Sequence, residues 1–189
     1  MTDPDSGSVP GQGRREQRKD DTRRALEEAA LRRFASDGYD ATSVETIAAD
    51  AGVSARTFFR YFAAKDDVFD MGRDARQAEL RAAIRARRDR SDWDVVRQAI
   101  LVMAHGFEED RERVLLRQEA AASSAVLRGR IFDTFLSWEL IVARELGGTA
   151  QADALAAAGI GIFRAATVRW LREGGSLPGR VAAGFDALG

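Results

Sequence analysis

Arg56 is the side chain of this 189-residue chain best suited to a specific recognition task. A guanidinium carries its donors in a fixed fork that matches the O6 and N7 acceptors of guanine in a major groove. It lies in the stretch AADAGVSARTFF, residues 48–59, four positions after Gly52. Gly52 permits a sharp turn where a side chain would obstruct it. Ala48 is small enough for two helices to approach, and Val53 is apolar beside the turn and can pin them together. Ser54 can cap the second of the two short helices. Thr42-Ser43-Val44-Glu45 has the spacing of a capping box for the first. The result is a helix-turn-helix pattern, in which Ser43–Ala51 braces a second helix whose N-terminal residues face base edges. An ordinary helical hairpin with a glycine turn has the same local pattern.

Other chemistries are limited by composition. There is no Cys and one His, His105, which excludes disulfides, thiol nucleophiles, Cys-based metal sites and any His pair. No Gly-rich phosphate loop, HExxH or Gly-x-Ser-x-Gly pattern occurs, and acids such as Glu108-Glu109-Asp110 are readily read as a solvated helix end. The chain is therefore expected not to be an enzyme, and to need no metal or cofactor. The net charge of −1 excludes a uniformly basic coat but not a local basic patch. Residues 14–24 supply one: six basic residues against three acidic, a net of +3 that includes Arg14, Arg15 and Arg18. Such an arm can neutralise phosphates or enter a minor groove; a solvated tail is the plainer alternative. Met1–Gly13 is acidic and rich in Gly, Pro and Ser, and is expected to be a disordered leader rather than a signal peptide. The longest apolar run, Ala154–Phe163, is too short to span a membrane, and the protein is expected to be cytoplasmic.

The elements that must position these residues are helices. The three prolines lie at positions 4, 10 and 178, Ala and Arg dominate the middle, and alternation of β-branched residues is nearly absent. The spacing predicts an all-α fold of nine helices: 21–36, 43–51, 54–62, 65–88, 92–109, 111–122, 125–146, 151–173 and 179–188. Residues 14–64, with the helix-turn-helix pattern and the basic arm, are expected to form one domain and 65–189 a larger helical domain.

From Leu26 to Phe69 the chain resembles the TetR family of transcriptional regulators. The residues that carry the resemblance are Phe34, Gly38-Tyr39, Thr42-Ser43-Val44, Ile47-Ala48, Ala51-Gly52-Val53-Ser54, Thr57-Phe58-Phe59, Phe62, Lys65 and Val68. The resemblance implies that Ser54, Ala55, Arg56 and Thr57 face bases. It implies that Phe59, Tyr61 and Lys65 lie against backbone phosphates, and that Thr42 caps the second helix near the DNA. Arg60 is either a phosphate neighbour or solvent-facing. Phe59 stands where Tyr is usual, Tyr61 where His is common, and Ala63-Ala64 replaces a frequent Pro-Ser or Pro-Asn.

Beyond Phe69 the resemblance is one of architecture. It implies a homodimer on a near-palindromic duplex DNA operator and a small-molecule effector between helices, with the helix 65–88 as lever. Met103, Phe107, Leu116, Phe135, Trp138 and Phe163 are candidate cavity residues, with His105, Gln118 and Arg164 as polar orienters; simple core filling is the alternative for the apolar ones. Leu155, Gly159, Ile162, Ala166 and Trp170 form a stripe of small and large residues that suits either a dimer interface or an intramolecular core. A ligand-independent regulator, an activator and a helical protein-interaction module remain as alternatives.

Overall fold

The computed structural model describes residues 10–86 and 90–188, with side chains from Arg14 onward. Among these residues there are nine α-helices and no strand. They are α1 (Pro10–Ser36), α2 (Val44–Asp50), α3 (Ala55–Tyr61), α4 (Arg73–Arg85), α5 (Asp92–Glu109), α6 (Arg111–Ala122), α7 (Ala125–Glu145), α8 (Ala150–Glu173) and α9 (Leu177–Asp186). The expected all-α class and the order of the elements are as read from the sequence. Most of the leader lies outside the described residues, and its last residues, from Pro10, belong to α1. The basic arm is thus part of a continuous helix rather than an extended strand of chain.

The largest departure falls on the expected helix 65–88. Its first turn is a 3₁₀ segment, Lys65–Asp70, followed by a break at Met71-Gly72 before α4. Gly72 has φ +71°, a backbone conformation open to glycine, and a Cβ there would stand 2.9 Å from Arg76 Nη1. The C-terminal end of the expected helix, at Arg88, lies outside the described residues.

Two apolar cores result. The first joins Leu26, Leu31 and Phe34 of α1 to Ile47, Phe58 and Phe62, and takes in Val68 and Phe69 of the 3₁₀ segment and Leu127 of α7. Val68 and Phe69 therefore pack with the N-terminal helices, and the helical run is broken at Met71-Gly72. The second core is centred on α8, which packs against α5, α7 and α9. By length and composition α8 could cross a membrane (mean hydropathy 1.3), which the shorter run Ala154–Phe163 did not suggest. Its apolar residues instead face neighbouring helices: Ala156, Ile160, Phe163 and Trp170 are buried.

The stripe Leu155, Gly159, Ile162, Ala166, Trp170 resolves to its intramolecular alternative. Gly159, Ala166 and Trp170 are buried, and Leu155 and Ile162 pack on the same core. Gly159 is small because α5, α8 and α9 converge on it: a Cβ would lie 2.4 Å from Val96 Cγ1 and 3.6 Å from Phe185 Cζ. Ile162 meets Gly184 of α9 in the same way. Val96 is fully buried and stiff at χ1, so it cannot swing aside. Gly159→Ala should cost about 1–3 kcal/mol through overpacking, read as a lower urea midpoint with an unchanged m-value.

Candidate DNA interface and the cavity behind it

The helix-turn-helix is built by two serine caps and one glycine. Ser43 is the N-cap of α2, its Oγ accepting from Thr46 N at 3.1 Å. Ser54 caps α3 in the same manner through Thr57 N, at 3.2 Å. Between them Gly52 has φ +70°, and the amides of Gly52 and Val53 donate back to the carbonyls of Ala49 and Ala48, at 3.0 and 2.9 Å. The left-handed glycine closes α2 and turns the chain. α3 then presents Arg56, Phe59 and Arg60 to solvent while Phe58 is fully buried. Ala55 and Thr57 are half-buried beside them, and the Arg60 guanidinium sits over the Tyr61 ring at 5.1 Å.

Two expected contact residues have different duties. Thr42 is buried, and its hydroxyl donates to the Gly38 carbonyl at 2.7 Å, so it is Ser43 that caps α2 and the Thr42–Glu45 capping box does not form. The Lys65 ammonium donates to the carbonyls of Tyr39 (2.6 Å) and Thr42 (3.0 Å) and lies over the Tyr39 ring at 4.1 Å. Two of its three protons hold the loop before α2, leaving one for a phosphate. Arg15 and Arg18 are exposed on α1, as is Arg14, on the same helix that supports the first core.

Besides the apolar packing of Ala120, Ala121 and Leu127 on the first core, ionic contacts dock this unit onto the rest of the chain. Glu27 of α1 is only 2% exposed and accepts from Arg117 Nη1 at 2.9 Å and Arg113 Nη1 at 3.2 Å, both on α6. Arg117 also donates to the Phe69 carbonyl of the 3₁₀ segment, and burial pushes its pKa down to about 10, leaving it charged at neutral pH. From α7, Arg130 reaches three carboxylates of the same segment, Asp66 (2.9 Å), Asp70 (3.0 Å) and Asp67 (3.2 Å). Burial alone would raise the Asp66 carboxyl, but hydrogen bonds from Arg130 and Tyr39 outweigh it and hold the group below its ordinary value. Sequence reasoning missed Glu27, Arg113, Arg117 and Arg130. One signal was available: Arg113 and Arg117 are four apart, so two like charges share a helix face and repel unless an anion lies across from them.

Behind α6 is a cavity of about 190 Å³. Of the expected residues, Met103, Phe107, Gln118, Phe135 and Trp138 line it. Phe163 is fully buried behind that wall, 5.1 Å from the Phe107 ring and 6.0 Å from Trp138. His105 is exposed and lies elsewhere on α5, and Leu116 packs toward the first core. Among the lining residues that periodicity did not mark are three arginines, Arg76, Arg113 and Arg117, and two acids, Glu79 and Asp110. Among the described residues no cluster of three His, Asp or Glu is placed to hold a metal ion.

Residues 26–70 match the family model for bacterial regulatory proteins of the tetR family. Over 190 aligned positions the chain is 27% identical to the Mycobacterium tuberculosis protein assigned as the mycofactocin biosynthesis transcriptional regulator MftR, covering 96% of each. Over residues 26–70 the chain is thus similar to TetR-family regulators. Across 66 residues it is 44% identical to the HTH-type transcriptional regulator TcmR of Streptomyces glaucescens, covering 34% of this chain and 29% of that one. Its fold is shared with the TetR-family repressor FadR of Thermus thermophilus, solved with lauroyl-CoA: TM-score 0.57, 24% identity, 88% of this chain and 92% of that one. The matched segment, residues 26–70, is the helix-turn-helix region of DNA-binding transcriptional regulators.

The Arg130 cluster sets an acid limb. Asp66 has a depressed pKa in the fold, so the unfolded chain binds more protons and stability rises with pH through this range. The contribution is present above the ordinary value of 3.8 and is lost as the pH falls through the lower folded value. The urea midpoint of the wild type should therefore drop on acidification below 3.8, and Arg130→Met should flatten that drop.

Proposed function

We propose that the chain is a homodimeric repressor that reads a near-palindromic operator and leaves it when a small, largely apolar effector enters the cavity behind α6. The reading rests above all on Arg117. This one side chain lines the cavity and at the same time grips Glu27 of α1 and the Phe69 carbonyl. A ligand that shifts α6 changes the seat of the helix-turn-helix, with no need for a continuous helix through residues 65–88. The effect is a population shift: a ligand favouring one seating of α6 draws the protein toward it. FadR, which shares this fold and was solved with lauroyl-CoA, supports the view that a protein of this fold can take a ligand.

In this reading Arg56 contacts a base, with Ser54, Ala55 and Thr57 beside it. Arg60, Lys65, Phe59, Tyr61 and the arginines Arg14, Arg15 and Arg18 lie along the phosphates. One seven-residue α3 reads few base pairs, so two copies are required, spaced by about 34–36 Å per helical turn of duplex. The pairing surface lies on α7 and the outer side of α8, not on the buried α8 stripe. Phe132, Leu136 and Leu140 recur every four residues along α7 and are 60%, 41% and 60% exposed, with Val168 of α8 also exposed. Apolar side chains in such a row on a soluble helix mark a contact surface.

Three measurements test this. Footprinting over the neighbouring promoters should reveal a protected, two-fold-related site; its absence at moderate ionic strength overturns the regulator reading. Arg56→Ala should weaken operator binding by about 1–3 kcal/mol and relax preference at one position per half-site, whereas an equal loss on random DNA makes it a phosphate contact. Leu140→Glu should yield a monomer by light scattering and abolish operator binding while leaving the helical content intact.

A further inference from the structure

The cavity contains two donors that the protein itself leaves unanswered. Arg76 Nε and Trp138 Nε1 are buried and have no hydrogen-bond partner, and both residues line the same chamber. Buried polar groups are normally paired, and an orphaned one forfeits its full desolvation energy. The three arginines of the cavity differ in this respect. Arg113 is paired with Asp110 and Glu27, and Arg117 with Glu27. Arg76 meets no carboxylate: its Nη2 donates to the Met71 carbonyl at 2.7 Å, and the neighbouring Glu79 is exposed and makes no ion pair with it. Burial lowers the Arg76 pKa; the attraction of Glu27, and more weakly of Asp110 and Glu79, opposes this, while the repulsion of Arg113 adds to it. A buried cation in this position calls for an anion.

The remainder of the wall is aromatic. Phe107 and Phe135 present their rings edge-on to Trp138, at centroid distances of 5.8 and 5.4 Å and interplanar angles of 80° and 90°. Met103, Val114 and Ile131 complete the apolar lining. The size is restrictive. A cavity of ~150 Å³ accepts a benzene ring, so 190 Å³ suits a single ring with a short acidic arm.

We propose that the effector is a small aromatic carboxylic acid, its carboxylate paired with the Arg76 guanidinium and its ring packed among Phe107, Phe135 and Trp138. The indole N–H of Trp138 supplies a second donor for an oxygen of the same molecule. This deepens the effector reading above and rests on it. Arg76 also holds the Met71-Gly72 joint through the Met71 carbonyl, so an anion on its guanidinium acts at the boundary between the helix-turn-helix unit and α4.

The test is calorimetric titration of the full-length protein, without DNA, with phenylacetate and 3-phenylpropionate and with their neutral amides. At least one acid should bind about tenfold or more tightly than its amide, the margin of a charge-assisted buried hydrogen bond. Arg76→Gln should erase that preference, Arg76→Lys should keep it, and Trp138→Phe should weaken the acid. Thermal melts report whether each variant is folded; should Arg76→Gln not fold, the acid-to-amide ratio of the wild type and of Arg76→Lys decides. Amides binding as well as acids, a preference unchanged in Arg76→Gln, or no binding of either acid at millimolar concentration overturns the proposal. Operator release is measured separately. An acid that binds without releasing DNA overturns the effector reading and leaves the site assignment standing; release by an amide and not by an acid does the reverse.

Discussion

A buried carboxylate on the first long helix organises the molecule. Glu27 sits on the apolar side of α1, beside Leu26 and Ala30, where an unpaired charge would be very costly. It is tolerated because Arg113 and Arg117 of α6 close on it from across the interface. Such a pair contributes little net stability compared with well-packed apolar residues, but losing one partner strands the other. Its effect is on geometry: α1 and α6 have one ionic register, and the helix-turn-helix rides on α1. The Arg130 contacts to Asp66, Asp67 and Asp70 repeat the device from α7, anchoring the 3₁₀ segment that follows α3.

These ionic contacts lie between two apolar cores that touch but do not merge. The first core stiffens α2 and α3, so that Arg56 is presented from a rigid element. The second, around α8, forms the wall of the cavity. Arg117 belongs to both sides at once, its guanidinium on Glu27 while the residue lines the cavity. A polar bridge between two packed bodies can exchange partners at lower cost than interdigitated side chains can repack, since tight cores resist continuous deformation. The helical run is broken at Met71-Gly72, beside this bridge.

The helix-turn-helix was legible because its signals are local. Capping serines, a glycine at φ +70° and an apolar face with 3.6-residue spacing act within a few positions of one another. The errors have a common origin. Thr42 and Ser43 are both capping types, and only the depth of burial decides that Ser43 caps while Thr42 turns back to Gly38. The break after Asp70 was missed because a single glycine, Gly72, is tolerated inside an otherwise helical stretch, and only the structure gives it φ +71° with Arg76 packed over it. The α8 stripe of small residues fits close approach of any helix; that the approaching helices are α5 and α9 of the same chain cannot be inferred from spacing.

Sequence alone determined that the chain is all-α, where most helices begin and end, and that a glycine-turned pair of helices displays Arg56. Those properties follow from propensity, capping and periodicity, which operate over one or two turns. Tertiary structure alone decided which charges are buried and which remain unpaired. Glu27 between two arginines, Arg130 among three aspartates and Arg76 with no carboxylate are set by side chains 60 or more positions apart, or by their absence. Charge on a helix looks solvent-facing until a second helix covers it, and only the packing of α1, α6 and α7 supplies that cover.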